Sequence, residues 1–421
     1  MPHHGPFYQW QAIIATHMPN LSKPQVSVLA LWTWGMVCTR CSSLTTVAVF
    51  LSLYFDCPPN TMRQRLREFY WEANAKAGQH RQVLDVGTCF APLLRWALQG
   101  WPNRQLPIAL DASTLGEKFV VLAISVVYRR CAIPVAWKIL PATLSTPWRD
   151  EWLKLLEQFQ RVVPRGWTVM ALTDRGLWAP WLFQAIVALG WHPFMRINSG
   201  GHFRPDGKTQ FLFLKSFTPI VGARWSGRGT AFSTPKRQVE ATLLAWWGPG
   251  HDEPWLILTD LAPEVGEADW YGLRAWIEQG FKDYKRGGWQ WQHTRMSDPA
   301  RAERLWLAMT VATLWLLRVG GEAEQKGWDQ EAVVPPELDL QPALEIPGPA
   351  TAKKQRRTKR WRLVSVFARG WLVILSALLK HAPLPRGRWF PEPWPDNSPG
   401  QPQVPLGDTG KKTDRHGLWG G

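Results

Sequence analysis

From residue 21 to about residue 101, apolar residues recur at three- and four-residue spacings, most densely over 26–55, and this period predicts helices. Residues 61–70, Thr-Met-Arg-Gln-Arg-Leu-Arg-Glu-Phe-Tyr, continue as a basic amphipathic helix with Arg63, Arg65 and Arg67 beside Phe69, Tyr70 and Trp71. Those arginines suit phosphates, and they equally suit a solvated helix face. At residue 106 the period changes. Leu-Pro-Ile-Ala-Leu at 106–110 is a short, wholly apolar run ending at Asp111, which reads as a buried strand. Two β-rich runs, 118–128 and 131–140, meet at Arg129-Arg130 and predict a hairpin or adjacent strands. A helical pattern follows over 146–163, then an apolar strand over 167–172 that again leads to an acid, Asp174. A helix over 181–189 and a strand over 192–197 complete the series.

The order β-β-β-α-β-α-β, with two strands ending in Asp, is that expected of a ribonuclease-H-like mixed sheet. Residues 199–262 turn to Gly-punctuated β segments at 210–217, 224–232, 238–247 and 254–258, a β-rich insertion. Helix returns over 267–317, with a break expected near Gly287-Gly288. The domains expected are a helical DNA-binding unit over 1–102, an α/β catalytic unit over 103–320, a linker over 321–352 and a basic C-terminal segment over 353–421. In that last segment Lys353-Lys354-Gln-Arg356-Arg357-Thr-Lys-Arg-Trp-Arg362 has seven basic residues in ten. A helix over 363–379 follows it, and the Pro/Gly-rich tail from residue 383 reads as disordered.

Composition narrows the function classes. Forty-nine Lys and Arg against 33 Asp and Glu give a formal charge of +16, so a polyanion is the first partner to consider. Anionic lipid needs an apolar anchor as well, but Arg40 and a Thr/Ser cluster interrupt the run over 26–55, and 305–317 falls short of the ~20 residues a bilayer requires. No membrane partner is expected. Residues 1–20 lack the charged start and apolar stretch of a signal peptide, which points to the cytoplasm. Cys38-Thr-Arg-Cys41 has metal-like spacing without a second pair or a nearby His, so the two read as buried thiols on an apolar helix.

Candidate chemistry centres on three acids. An Asp at the end of a buried strand is held rigidly while the open strand end admits water and substrate, and Asp111 and Asp174 both occupy such positions. Each has a plainer alternative: Asp111 as a cap, and Asp174-Arg-Gly as a turn. Over 271–285, Tyr271, Arg274, Glu278 and Lys285 bring one carboxylate between two cations and a phenol. Arg274, Glu278 and Lys285 fall at steps of four and seven along one helical face. A surface ion-pair ladder shares that spacing, but this stretch is rich in Trp and Phe.

Tyr-x2-Arg-x3-Glu-x6-Lys, met in full by Tyr271, Arg274, Glu278 and Lys285, resembles the signature of a large branch of bacterial insertion-sequence transposases. Those enzymes cut and paste DNA through a DDE site in a ribonuclease-H-like fold with a β-rich insertion before the Glu. Leu110-Asp111-Ala-Ser-Thr is similar to the family's first Asp strand, and Thr173-Asp174-Arg-Gly-Leu177 to its second, where Phe is commoner at the position of Leu177. Arg196, in Phe194-Met-Arg-Ile, resembles the basic strand that follows. The resemblance spans residues 106–317.

It implies that Asp111, Asp174 and Glu278 are both the catalytic residues and the metal ligands, Asp111 bridging two Mg2+ ions roughly 4 Å apart, with Mn2+ able to substitute. Arg274 and Lys285 would hold phosphates, Arg196 would line the DNA path, and Tyr271 would donate to a phosphate oxygen. An aromatic of the insertion would stack on a flipped base; Trp247 is the candidate, with Trp246 and Trp255 as rivals. Lys353, Lys354, Arg356 and Arg357 suit non-specific phosphate contact. The partners implied are double-stranded DNA, as transposon ends and target, and a second copy of the chain in a synaptic dimer, in the nucleoid of a bacterial cell. Two readings compete with strand transfer: a ribonuclease-H-like nuclease that cuts without joining, and a catalytically inactive DNA-binding protein derived from a mobile element.

Overall fold

The computed structural model of the chain describes residues 5–327 and 364–391 apart from 77, 79–81, 102–103, 116 and 145–146. The chain opens with five helices, α1 (Gly5–His17), α2 (Lys23–Thr39), α3 (Leu44–Tyr54), α4 (Pro59–Tyr70) and α5 (Phe90–Ala97). Local chemistry sets their starts. Ser22 caps α2 in a reciprocal box with Gln25, and the Ser43 hydroxyl accepts from Thr46 N at α3. Arg40, in the left-handed region at φ 51°, ends α2. Taken together α2 and α3 are apolar enough for a bilayer, but they bend by 97° at that break, and among the described residues no single helix is long and apolar enough to cross a membrane.

Strands β1 (Gln105–Leu115), β2 (Phe119–Tyr128) and β3 (Cys131–Pro141) form an antiparallel meander. The expected hairpin turns at Arg129 and Arg130, both left-handed, at φ 45° and 62°. Neither is a Gly, and the surroundings hold the turn: Arg129 Nη1 lies 2.8 Å from Glu324 and its Nε donates to Phe390 O at 2.7 Å. After α6 (Arg149–Gln160) comes β4 (Thr168–Thr173), parallel to β1, and after α7 (Pro180–Ala188) comes β5 (His192–Arg196), parallel to β4.

The β-rich insertion joins this same sheet. β6 (His202–Pro205), β7 (Leu212–Phe213), β8 (Arg224–Ala231), β9 (Val239–Trp246) and β10 (Trp255–Thr259) continue it through the β10–β5 pairing, in the order β3-β2-β1-β4-β5-β10-β9-β8-β6-β7. The strand expected over 210–217 shrinks to β7, because a 3-10 turn takes over at Leu214–Phe217.

The long helix expected over 267–317 is four elements: a 3-10 segment at Ala268–Ala275, α8 (Trp276–Tyr284), a 3-10 turn at Trp291–His293 and α9 (Pro299–Gln325). The break falls at Gly287-Gly288, as expected. A Cβ on Gly288 would stand 2.2 Å from Asp283 O and 2.6 Å from Phe367, so only Gly allows this tight return. α9 runs eight residues past its expected end, into the stretch read as linker.

α9 is the axis of the core. Its Trp315 stacks on Trp10 at 4.0 Å, and its Trp306 meets Trp137 and Trp291. One continuous apolar cluster thereby joins the five N-terminal helices, the sheet and α9. α10 (Val366–Leu379) crosses α9 with the backbones touching, since a Cβ on Gly320 would lie 1.9 Å from Val366 O and one on Gly370 1.9 Å from Leu316 O.

The tail read as disordered is packed over 383–391. Trp389 is buried and donates to Trp96 O at 2.8 Å, and Trp315 donates to Pro385 O at 2.9 Å. Pro and Gly suggested disorder, yet one Trp and one Leu are enough to anchor the segment. Residues 392–421 and the basic run with Lys353, Lys354, Arg356 and Arg357 lie outside the described residues. The five Cys are free; Cys38 lies on α2, where burial pushes its thiol up to about 12, and Cys41 follows the helix end.

Candidate active site

Register brings the two strand acids together. β1 and β4 run parallel with Ala109 opposite Leu172, and two residues further along each chain stand Asp111 and Asp174. Neighbouring strands lie ~4.8 Å apart, so the two acids share one level. Asp111 was expected to end its strand, but β1 continues to Leu115 because β2 still pairs with it there, Leu115 opposite Phe119. On the other side β4 has ended. The carboxylate of Asp111 therefore sits at the step where one neighbour stops, on a rigid strand with an open flank.

Asp174 combines both readings of its position. Its Oδ1 accepts from Leu177 N at 3.1 Å, the expected turn, while Oδ2 lies 3.2 Å from Arg274 Nη2. The same Nη2 is 3.4 Å from Asp111 Oδ1. One guanidinium, with its side chain only 7% exposed, thus spans both acids as a fixed cation. Burial pushes the Asp111 carboxyl up to about 6; Arg274 pulls it down, whereas Asp174 and Glu278 push it further up. Asp111 therefore feels both of the other acids electrostatically. Among the described residues, however, no three His, Cys, Asp or Glu side chains are gathered tightly enough to hold a metal ion.

The sequence placed Tyr271, Arg274, Glu278 and Lys285 along one α-helix, but the structure distributes them over a 3-10 to α junction. Tyr271 and Arg274 stand on the 3-10 segment, where positions three apart eclipse, and both are buried. Glu278 is exposed in the first turn of α8, where the helix dipole favours a carboxylate. Lys285, just past the end of α8, donates to Ser113 Oγ at 2.9 Å and Thr114 O at 3.0 Å, which ties it to the strand of Asp111. Desolvation lowers the Lys285 ammonium, and Asp111 opposes that shift. Burial raises the Tyr271 phenol to about 12 despite nearby Arg274, so it remains a neutral donor.

Arg196 Nη2 pairs with Glu253 Oε1 at 2.9 Å, and Arg175 Nη1 holds Glu253 Oε2 at 2.9 Å. Arg175 and Glu253 were not singled out from the sequence. Arg175 adjoins Asp174 and could have been flagged by that adjacency; Glu253, in the β9–β10 loop, gave no local signal. Of the three tryptophans, Trp255 stands beside Tyr271, edge to face at 5.3 Å, and beside Trp246 at 5.4 Å. Trp247 instead donates to His251 O at 3.0 Å within its own loop. The two rivals, and not Trp247, form the aromatic wall next to the signature residues.

Asp283, on α8, is an acid that the sequence did not mark. It is 2% exposed, its Oδ1 accepts from Gln279 Nε2 at 2.8 Å and its buried Oδ2 has no partner. Burial pushes it up to about 7, with Gln279, Arg40 and Lys282 pulling the other way. The folded chain keeps this proton to higher pH than the unfolded chain, so this group's contribution to stability declines as pH rises from about 4 through 7. Asp283→Asn is expected to stabilise the protein at pH 8 by roughly 2 kcal/mol and to leave it unchanged at pH 4. Urea unfolding at the two pH values measures this; an equal effect at both would contradict it.

With this geometry in view, residues 148–315 match the family model described as the transposase DDE domain. The match covers under half of the chain and includes Asp174, Arg196, Tyr271, Arg274, Glu278 and Lys285; it begins after Asp111. No curated protein matches the chain significantly. The match supports a transposase and accords with a ribonuclease-H-like sheet, while the place of Asp111 beside Asp174 comes from strand register and from the Arg274 guanidinium they share.

Proposed function

We propose that the protein is a DNA transposase that cuts DNA at the ends of its own mobile element and joins the freed 3' ends to target DNA. The observation that carries this reading is Arg274, which spans Asp111 and Asp174 one helical turn before Glu278. The arrangement combines Asp111 with Asp174 and the signature residues, which lie inside the matched DDE domain. The donor set suits a divalent cation in kind, because three carboxylates supply hard oxygen ligands and the guanidinium between two of them stands where positive charge is favoured, although the three are not gathered around one point. Asp111, Asp174 and Glu278 would hold Mg2+ or Mn2+, and bound metal would supply Lewis-acid stabilisation of charge at the phosphate.

The remaining roles belong to the chain's own groups. Lys285, fixed to Ser113, presents a point charge to a phosphate on the flank of β1. Arg196 and Arg175, held by Glu253, offer planar forks to the same backbone when that carboxylate yields. Tyr271 donates one hydrogen bond. Trp255 and Trp246 replace Trp247 as the stacking surface for an unpaired base. The helices of residues 1–102 bind the element's terminal repeats, and two copies of the chain synapse two ends.

The test uses a duplex carrying the inverted repeats that flank the gene, incubated with the full chain, Mg2+ and a supercoiled target plasmid. Cutting at the repeat boundary followed by insertion is the expected result. Cutting without insertion would favour a nuclease, and binding without cutting an inactive derivative.

A further inference from the structure

A second feature of the surface lies apart from the carboxylates. An open cleft of about 940 Å³ runs between α3 and α4 on one wall and residues 290–298, with the start of α9, on the other. Four arginines line it: Arg63 and Arg67 from α4, Arg295 from the loop and Arg301 from α9. Among these described lining residues the one acid is Asp298, which caps α9 by accepting from Arg301 N at 3.0 Å. Arg301 Nε lies 3.8 Å from Asp298 Oδ2, so when His293 is neutral the cleft keeps a net three positive charges, those of Arg63, Arg67 and Arg295. Arg63, Arg67 and Arg301 all act electrostatically on Tyr70, which places them around one aromatic floor. The N-terminal turn of α3, through Leu44 and Thr45, adds backbone donors beside the arginines of α4.

The amphipathic helix is sorted by this arrangement. Arg63 and Arg67 are one turn apart and face the cleft, while Arg65 is exposed and does not line it. Arg67 stands over the Trp71 ring at 5.9 Å, and neither Arg63 nor Arg67 pairs with an acid among the described residues, so both charges are left to the cleft. The cleft is also tied to the candidate active site by hydrogen bonds between its rim and that site's neighbours. Gln290, on its rim, donates from its backbone N to Lys285 O at 2.8 Å, and Lys118 Nζ holds Thr294 O at 2.6 Å. Ser42 Oγ, on the other wall, donates to Trp289 O at 2.8 Å and fixes the two sides.

We infer that this cleft binds the phosphodiester backbone of duplex DNA, engaging at least two phosphates through Arg63, Arg67 and Arg295 as the duplex extends from the carboxylate site. A cleft this large and open is too wide for a single phosphate ion, and its charges stand on separate walls as a tracked backbone requires. The inference rests on the transposase reading for the presence of DNA, and it adds where the flanking duplex lies.

The test is the salt dependence of binding of a random-sequence 30-base-pair duplex to the full chain without metal, followed by fluorescence anisotropy. Each phosphate contact contributes about 0.9 to the slope of log K against log salt. Arg63→Gln with Arg67→Gln is expected to flatten the slope by nearly two, and Arg65→Gln, which removes charge from the outer face, by far less. Arg295→Gln, in the loop, serves as the readout if the double variant melts earlier than the wild type. Slopes that fall equally for Arg65 and for the cleft variants, or not at all, overturn the cleft while wild-type cutting stands. A wild-type chain that binds no duplex overturns the transposase reading and this inference together.

Discussion

Glu278→Gln is expected to bind DNA as the wild type does and to cut it about 10³-fold more slowly or worse, since the amide keeps the shape of the side chain and loses the charge. Exposure makes the variant informative. Glu278 lies on the surface of α8 and forms no ion pair among the described contacts, so its loss leaves the fold intact. The melting midpoint should therefore stay within a degree or two of the wild type, because surface changes away from such contacts alter stability little. Single-turnover cleavage of the repeat-bearing duplex, with binding measured in parallel, separates chemistry from affinity. Undiminished cutting would remove Glu278 from the site.

Arg274→Ala produces the largest structural effect. The guanidinium is 7% exposed and meets two carboxylates, so its removal leaves Asp111 in a desolvated position beside Asp174 with no opposing charge. Breaking a buried pair costs several kcal/mol; about 3 kcal/mol is expected here, discounted because Asp174 is 42% exposed and remains screened. The sign with pH follows from Asp111, already raised to about 6 with the guanidinium present. Without it the carboxyl holds its proton to still higher pH. The loss is therefore greatest above neutrality and shrinks as pH falls toward 4. Denaturant unfolding of wild type and variant at pH 8 and pH 5 measures the difference, and an effect independent of pH would show that Arg274 acts through packing alone.

The contrast between what could and could not be read from the chain has physical causes. Strand and helix periods are local, so the meander, the Arg129-Arg130 turn and the break at Gly287-Gly288 were legible. The end of β1 was not, because Ser113 and Thr114 look like turn residues until β2 is placed beside them. Nor was the 3-10 character of the segment with Tyr271 and Arg274, since a spacing of three suits either helix type. Arg274 was expected to hold DNA phosphates; its two carboxylate partners lie 163 and 100 residues away, a distance that no local pattern encodes. Trp247 was chosen over Trp255 among 29 tryptophans, and only the β9–β10 loop geometry separates them. The packed segment 383–391 was hidden by its Pro and Gly content, which describes the backbone and says nothing about where Trp389 lands.

The central claim is that Asp111, Asp174 and Glu278 act together on a divalent cation, and manganese binding tests it without recourse to turnover. Mn2+ is titrated by electron paramagnetic resonance into the full chain bound to duplex DNA, for the wild type and for Asp111→Asn, Asp174→Asn and Glu278→Gln separately. Each substitution is expected to weaken binding by about tenfold or more, because each removes a charged oxygen ligand that its amide replaces poorly. Equal manganese affinity in all four proteins would contradict the account.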